Sequence, residues 1–111
     1  MGPADFRRLA LALPAAEEGA HSGHPDFRVG GKVFASLGYP DRDWGMVKLS
    51  PEQQELRLAA APEIFMPASG AWGRRGSTLV RLAAADEPLL RSALQAAWRN
   101  VAPKRLVAEE R

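Results

Sequence analysis

The spacing of apolar residues changes along the chain, and each change marks an element. Phe6, Leu9, Ala10 and Leu13 fall at i, i+3, i+4 and i+7, the repeat of one helical face. Pro3, Ala4 and Asp5 open this helix and Pro14 ends it. Glu17, Glu18, His21 and Gly23 follow with no apolar period, and read as a polar connector. A hairpin comes next. Phe27, Arg28 and Val29 are extended, Gly30-Gly31 is a two-residue turn, and a strand runs over 32–37. Strict alternation sets Val33, Ala35 and Leu37 on one face, with Phe34 and Ser36 on the other. Residues 38–41 form a loop. A third strand covers 44–49, with Trp44, Met46 and Lys48 opposite Gly45, Val47 and Leu49.

Ser50-Pro51-Glu52-Gln53 is a helix start: serine caps, proline takes the first turn and Gln53 reaches back to the cap. That helix runs through Leu56 and stops near Pro62. Ile64, Phe65 and Met66 form a short strand. Residues 67–76 read as a loop carrying Trp72, Arg74 and Arg75, and residues 78–82 alternate as another strand. Asp86-Glu87-Pro88 opens the longest helix. Its apolar positions 89, 90, 93, 94, 97, 98 and 101 form one broad stripe, suited to lying on a sheet, and Pro103 marks its end. The order is α-β-β-β-α-β-β-α. The expected fold is α+β, a two-layer sandwich with a mainly antiparallel sheet and helices on one face.

Composition narrows the classes without choosing among them. A chain of 111 residues suits one domain. The absence of cysteine excludes disulfides, thiolate metal sites and a cysteine nucleophile. No apolar run approaches the roughly 18–20 residues of a membrane helix, and the first residues carry no signal-peptide pattern. A cytoplasmic domain with no membrane partner is therefore expected.

Three separated pieces carry a family resemblance. The first is Glu17-Glu18-x-x-His21-x-Gly23-x-Pro25-x-Phe27-Arg28-Val29-x-Gly31-Lys32-Val33-Phe34-Ala35. The second is Lys48-Leu49-Ser50-Pro51-Glu52-Gln53, and the third is Leu94-x-x-Ala97-Trp98-x-x-Val101-Ala102-Pro103-Lys104. Together they resemble the MmcQ/YjbR-like family over nearly the whole chain. Two features depart from it. The last strand, Ser77-Thr78-Leu79-Val80-Arg81-Leu82, lacks the tryptophan many relatives have at its start. The Pro67-Ala68-Ser69-Gly70-Ala71-Trp72 segment lacks a second tyrosine or histidine. The resemblance implies a compact domain similar in topology to secretion chaperones, in a family described as DNA-binding.

Charge adds a direction. Residues 72–111 hold eight bases and four acids, a net +4; residues 1–71 hold seven bases and nine acids, a net −2. Lys32, Lys48, Arg74, Arg75, Lys104 and Arg105 are candidates for one basic face, with Trp72 to stack on an unpaired base. Asp41, Asp43, Glu109 and Glu110 dilute that field. Each of the three lysines falls in a piece matching the family pattern. The leading expectation is weak, largely sequence-independent association with double-stranded DNA.

Two other readings stand beside it. An open sheet face exposing Phe34 and Trp44 or Met46 would serve a protein partner or a homodimer. Glu18, His21, His24 and Asp26, within nine residues, contain ligand types for a metal or a general base. Their spacing completes no known ligand set, so neither a metal, a cofactor nor a catalytic residue is expected. No nucleophile elbow, Walker loop or dinucleotide fingerprint occurs.

Overall fold

The computed structural model describes residues 1–109; Glu110, one of the acids weighed above, lies outside them. The first helix, α1 (Pro3–Leu11), starts where the Gly2 amide donates to the Asp5 carboxylate at 2.9 Å. Four strands follow: β1 (Glu17–His21), β2 (His24–Val29), β3 (Lys32–Leu37) and β4 (Trp44–Lys48). Then come α2 (Pro51–Ala60), β5 (Phe65–Pro67), α3 (Gly70–Arg74) and β6 (Ser77–Arg81). A single 3-10 turn, Leu82–Ala84, leads into α4 (Glu87–Val101), and α5 (Lys104–Glu109) follows Pro103.

The result is the expected α+β class, with three additions to the predicted order. The supposed connector is β1, an edge strand paired antiparallel with β2 from Glu17↔Arg28 to His21↔His24. It shows no apolar alternation because none of its side chains is buried; backbone pairing places it in the sheet. The supposed 67–76 loop contains one helical turn, α3. Its Gly73 has the Ala68 carbonyl oxygen 1.8 Å from where a Cβ would lie, so only glycine lets that turn close so tightly. α4 stops at Val101, and Pro103 stands just before α5, its carbonyl accepting from the Leu106 and Val107 amides.

The sheet is six-stranded with order β1-β2-β3-β4-β6-β5, and every pair is antiparallel. The Gly30-Gly31 turn has φ of +60° and +79°, the left-handed pair that a two-residue hairpin requires. The two predicted helix caps are present. Ser50 Oγ accepts from the Gln53 amide while Gln53 Oε1 accepts from the Ser50 amide, and Asp86 accepts from Leu89.

The core lies between one sheet face and the pair α1 and α4. Helix α4 packs on β3 and β4, and α1 lies against α4. Phe6, Phe27, Phe34, Val47, Val80, Leu90, Leu94 and Trp98 are fully buried there. Trp98 Nε1 donates to the Pro14 carbonyl at 2.9 Å, which ties the end of α4 to the segment after α1.

One predicted face is corrected. In the register, Phe27 pairs with Ala35 and Arg28 with Val33, so Phe34 is an extra residue on β3. Such a bulge shifts the alternation by one. Phe34 therefore turns into the core, at 0% exposure, and Val33 turns to the helix-free face beside Ser36.

Candidate functional site

The helix-free face of the sheet forms a concave groove of about 980 Å³. Its floor can be read from the strand registers. Gly19, Asp26, Ser36, Met46, Leu79 and Met66 form one transverse row across all six strands. The row runs from charged on β2 to apolar on β4, β6 and β5. Beside it lie Arg28 and Val33, and Lys48 paired with Ser77. His21, His24 and Tyr39 rim one side, and Trp72 on α3 rims the other.

Asp26 is only 2% exposed. Its carboxylate accepts from Nε and Nη2 of Arg28 at 2.9 and 3.0 Å. This bidentate pair fixes the guanidinium in a plane. The carboxylate's hydrogen bonds and charge also raise the Arg28 pKa above its usual value. Gly19 on the neighbouring strand leaves the space: a Cβ there would lie 2.9 Å from Asp26 Oδ1 and 3.2 Å from Arg28 Nε. Arg28 itself stays partly open to solvent.

At the other side, Lys48 Nζ sits 5.7 Å from the centroid of the Trp72 ring, within cation–π range. Both ends of this contact are held. Asn100 Nδ2 donates to the Lys48 carbonyl and to Gln53 Oε1, fixing the strand end. The buried Gln54 amide lies within 3.2 Å of the Gly73 and Ser77 carbonyls and Thr78 Oγ1, fixing α3 beside β6. The Trp72 ring is left 61% exposed.

Of the seven predicted nucleic-acid residues, only Lys48 and Trp72 line the groove. The topology nevertheless gathers the bases at one end of the sheet. Lys32 begins β3, Lys48 ends β4, and Arg74 and Arg75 precede β6, whose first residue pairs with Lys48. Gly30 lies against Pro103, whose ring carbons are 3.1 Å from where a Cβ would lie, so Lys104 and Arg105 follow at the same end. Among the described residues, no ion pair engages Lys32, Lys48, Arg74 or Arg75.

The other candidates separate. Glu18 pairs with Arg7 at 2.9 Å; by strand alternation it lies on the face opposite His21. His21 and His24 rim the groove, with the His24 ring edge-on to Tyr39. Among the described residues no three potential ligands converge on a metal position. Phe34 is removed from the open face by the bulge. The Trp44 ring, 9% exposed, lies under the Arg81 guanidinium at 4.4 Å. Of the three residues expected to make that face adhesive, only Met46 lines the groove.

Sequence reading missed the Asp26–Arg28 clamp, Tyr39, Met66 and Leu79 as groove residues. The clamp's signal is present in β2, where His24, Asp26 and Arg28 alternate with Pro25, Phe27 and Val29. That is a polar stripe opposite an apolar one, hidden because residues before Phe27 were read as connector.

No helix among the described residues is long and apolar enough to cross a membrane. The YjbR family model matches residues 11–100. A crystal structure of Deinococcus radiodurans protein DR2400, with a DUF419 domain, is similar in fold. Its TM-score is 0.77 at 21% identity, over 98% of this chain and 88% of that one. No curated protein matches the chain.

Proposed function

This chain belongs to the YjbR family, and from that membership we propose that it works by binding rather than by catalysis, associating weakly and without sequence preference with DNA. The observation that carries this reading is the Lys48–Trp72 contact at the basic end of the sheet. An exposed aromatic ring beside a cation offers a base a stacking surface and a phosphate a charge. Lys32, Arg74, Arg75, Lys104 and Arg105 extend the charge around that end. An exposed ring stacks only on an unstacked base, so the reading favours single-stranded or frayed DNA over an intact duplex.

The test is fluorescence anisotropy with labelled single-stranded and duplex oligonucleotides at about 50 and about 200 mM salt. Binding should weaken steeply with salt, because neutralised phosphates release counterions. Arg74→Ala combined with Arg75→Ala should lower both affinity and salt slope. Trp72→Ala should lower affinity for the single strand and leave the slope unchanged. No retained oligonucleotide at the lower salt would overturn the reading.

A further inference from the structure

We propose that the groove on the helix-free face is a binding site for a small amphipathic anion. Arg28 and Lys48 would hold a carboxylate or phosphate group. A flat apolar body would lie across Met46, Leu79 and Met66 toward Trp72.

The row across the sheet carries the argument. It is neutral-polar at Ser36 and apolar from Met46 to Met66, and beside its Asp26 end Arg28 presents the guanidinium paired with that carboxylate. A ligand matching that gradient has one anionic end and one apolar end. The groove's volume, about 980 Å³, is that of a small-molecule pocket, at the upper end of the roughly 300–1,000 Å³ range. Its exposed lining surface is predominantly apolar, interspersed with polar and charged side chains, which can bury a ligand body and orient it by one end.

The anionic end is prepared in advance. The Asp26 carboxylate takes two of the guanidinium's N–H groups, so the remaining donors stay in a fixed plane. Because Asp26 cancels the charge of Arg28, Lys48 supplies the excess positive charge of the groove floor. That suits one small anion better than the dense phosphate array of a duplex. At the apolar end, Met66 and Trp72 are both exposed large side chains at the same rim. An uncovered apolar patch of this kind is the usual mark of a binding surface, and methionine adapts its shape to a flat ring.

The occupant is distinguished by matched probes: 2-naphthoate, 2-naphthyl phosphate and the neutral 2-naphthylmethanol. Methyl spectra of protein labelled at methionine report the position directly. Met46 and Met66 should shift saturably, and Met1 should not. One or both anions should bind at least about tenfold more tightly than the alcohol, as a charge-assisted contact requires. Which of them binds more tightly tells a carboxylate ligand from a phosphate ligand. Lys48→Met and Arg28→Gln should each reduce that preference at least about fivefold. Lys48→Met keeps the test open if loss of Arg28 unfolds the chain by leaving Asp26 buried and unpaired. Arg28 is no part of the proposed DNA surface, so Arg28→Gln with unchanged oligonucleotide binding separates the two readings. Equal affinity of both anions and the alcohol would mark the groove as merely apolar and overturn the proposal. So would unshifted Met46 and Met66 resonances, or an unchanged preference in Lys48→Met.

Discussion

The side-chain amide of Gln54 donates to the carbonyl of Gly73 at 3.1 Å, so a buried residue of α2 holds the turn that carries Trp72. The same nitrogen lies 3.1 Å from the Ser77 carbonyl and 3.2 Å from Thr78 Oγ1. Removing the amide takes a buried donor from this cluster, although the Gly73 and Ser77 carbonyls keep the Gly76 and Ala68 amides. Gln54→Leu, close in shape, should cost about 1–3 kcal/mol. Urea denaturation should show a lower midpoint at an unchanged slope. Oligonucleotide binding should fall with it, because α3 loses its anchor beneath Trp72.

Gly45 and Phe6 are a second coupled pair. A Cβ at Gly45 would lie 2.5 Å from Phe6 Cε2, below van der Waals contact. Gly45→Ala should therefore destabilise by about 1–3 kcal/mol. Phe6→Leu removes the obstructing ring carbons. The double variant should lose less than the sum of the two single losses, a coupling that thermal melts of the four proteins would measure.

Trp98 combines full burial with a polar duty. Trp98→Phe keeps an aromatic ring but removes the Nε1 donor from the Pro14 carbonyl. The loss should be about 1–3 kcal/mol, from the unpaired acceptor and the smaller ring together. Because the contact joins α4 to the chain after α1, hydrogen exchange should rise first at the end of α1.

Acid should loosen the junction of α1 with α4. Glu87 accepts from Arg8 on α1 and from Arg91 one turn along α4. The hydrogen bond and charge of Arg8, with help from Arg91, hold its carboxyl below the ordinary value of 4.5. A folded pKa below the unfolded one contributes stability that is present above about pH 4.5 and lost as pH falls through the lowered value. Asp5, lowered chiefly by the Gly2 amide, acts in the same direction. Glu87→Gln should flatten the fall in melting temperature between about pH 5 and pH 3; the pair is exposed, so salt should shrink the difference.

Local chemistry determined what the sequence could show. The α1 and α4 stripes, the Ser50 and Asp86 caps and the Gly30-Gly31 turn are each written within a few neighbouring residues, and each stands in the structure. The α+β class followed from their order. Tertiary structure decided the rest, because it depends on residues far apart in the chain. β1 is recognised by its pairing with β2, since no burial marks its side chains. The bulge at Phe34 depends on register and exchanges the faces of Val33 and Phe34 while Ala35, Ser36 and Leu37 keep theirs. The groove depends on sheet order, which sets Met46 of β4 beside Leu79 of β6 and Lys48 beneath Trp72. Alternation along one strand tells which residues share a face; only the pairing of distant strands tells which faces meet.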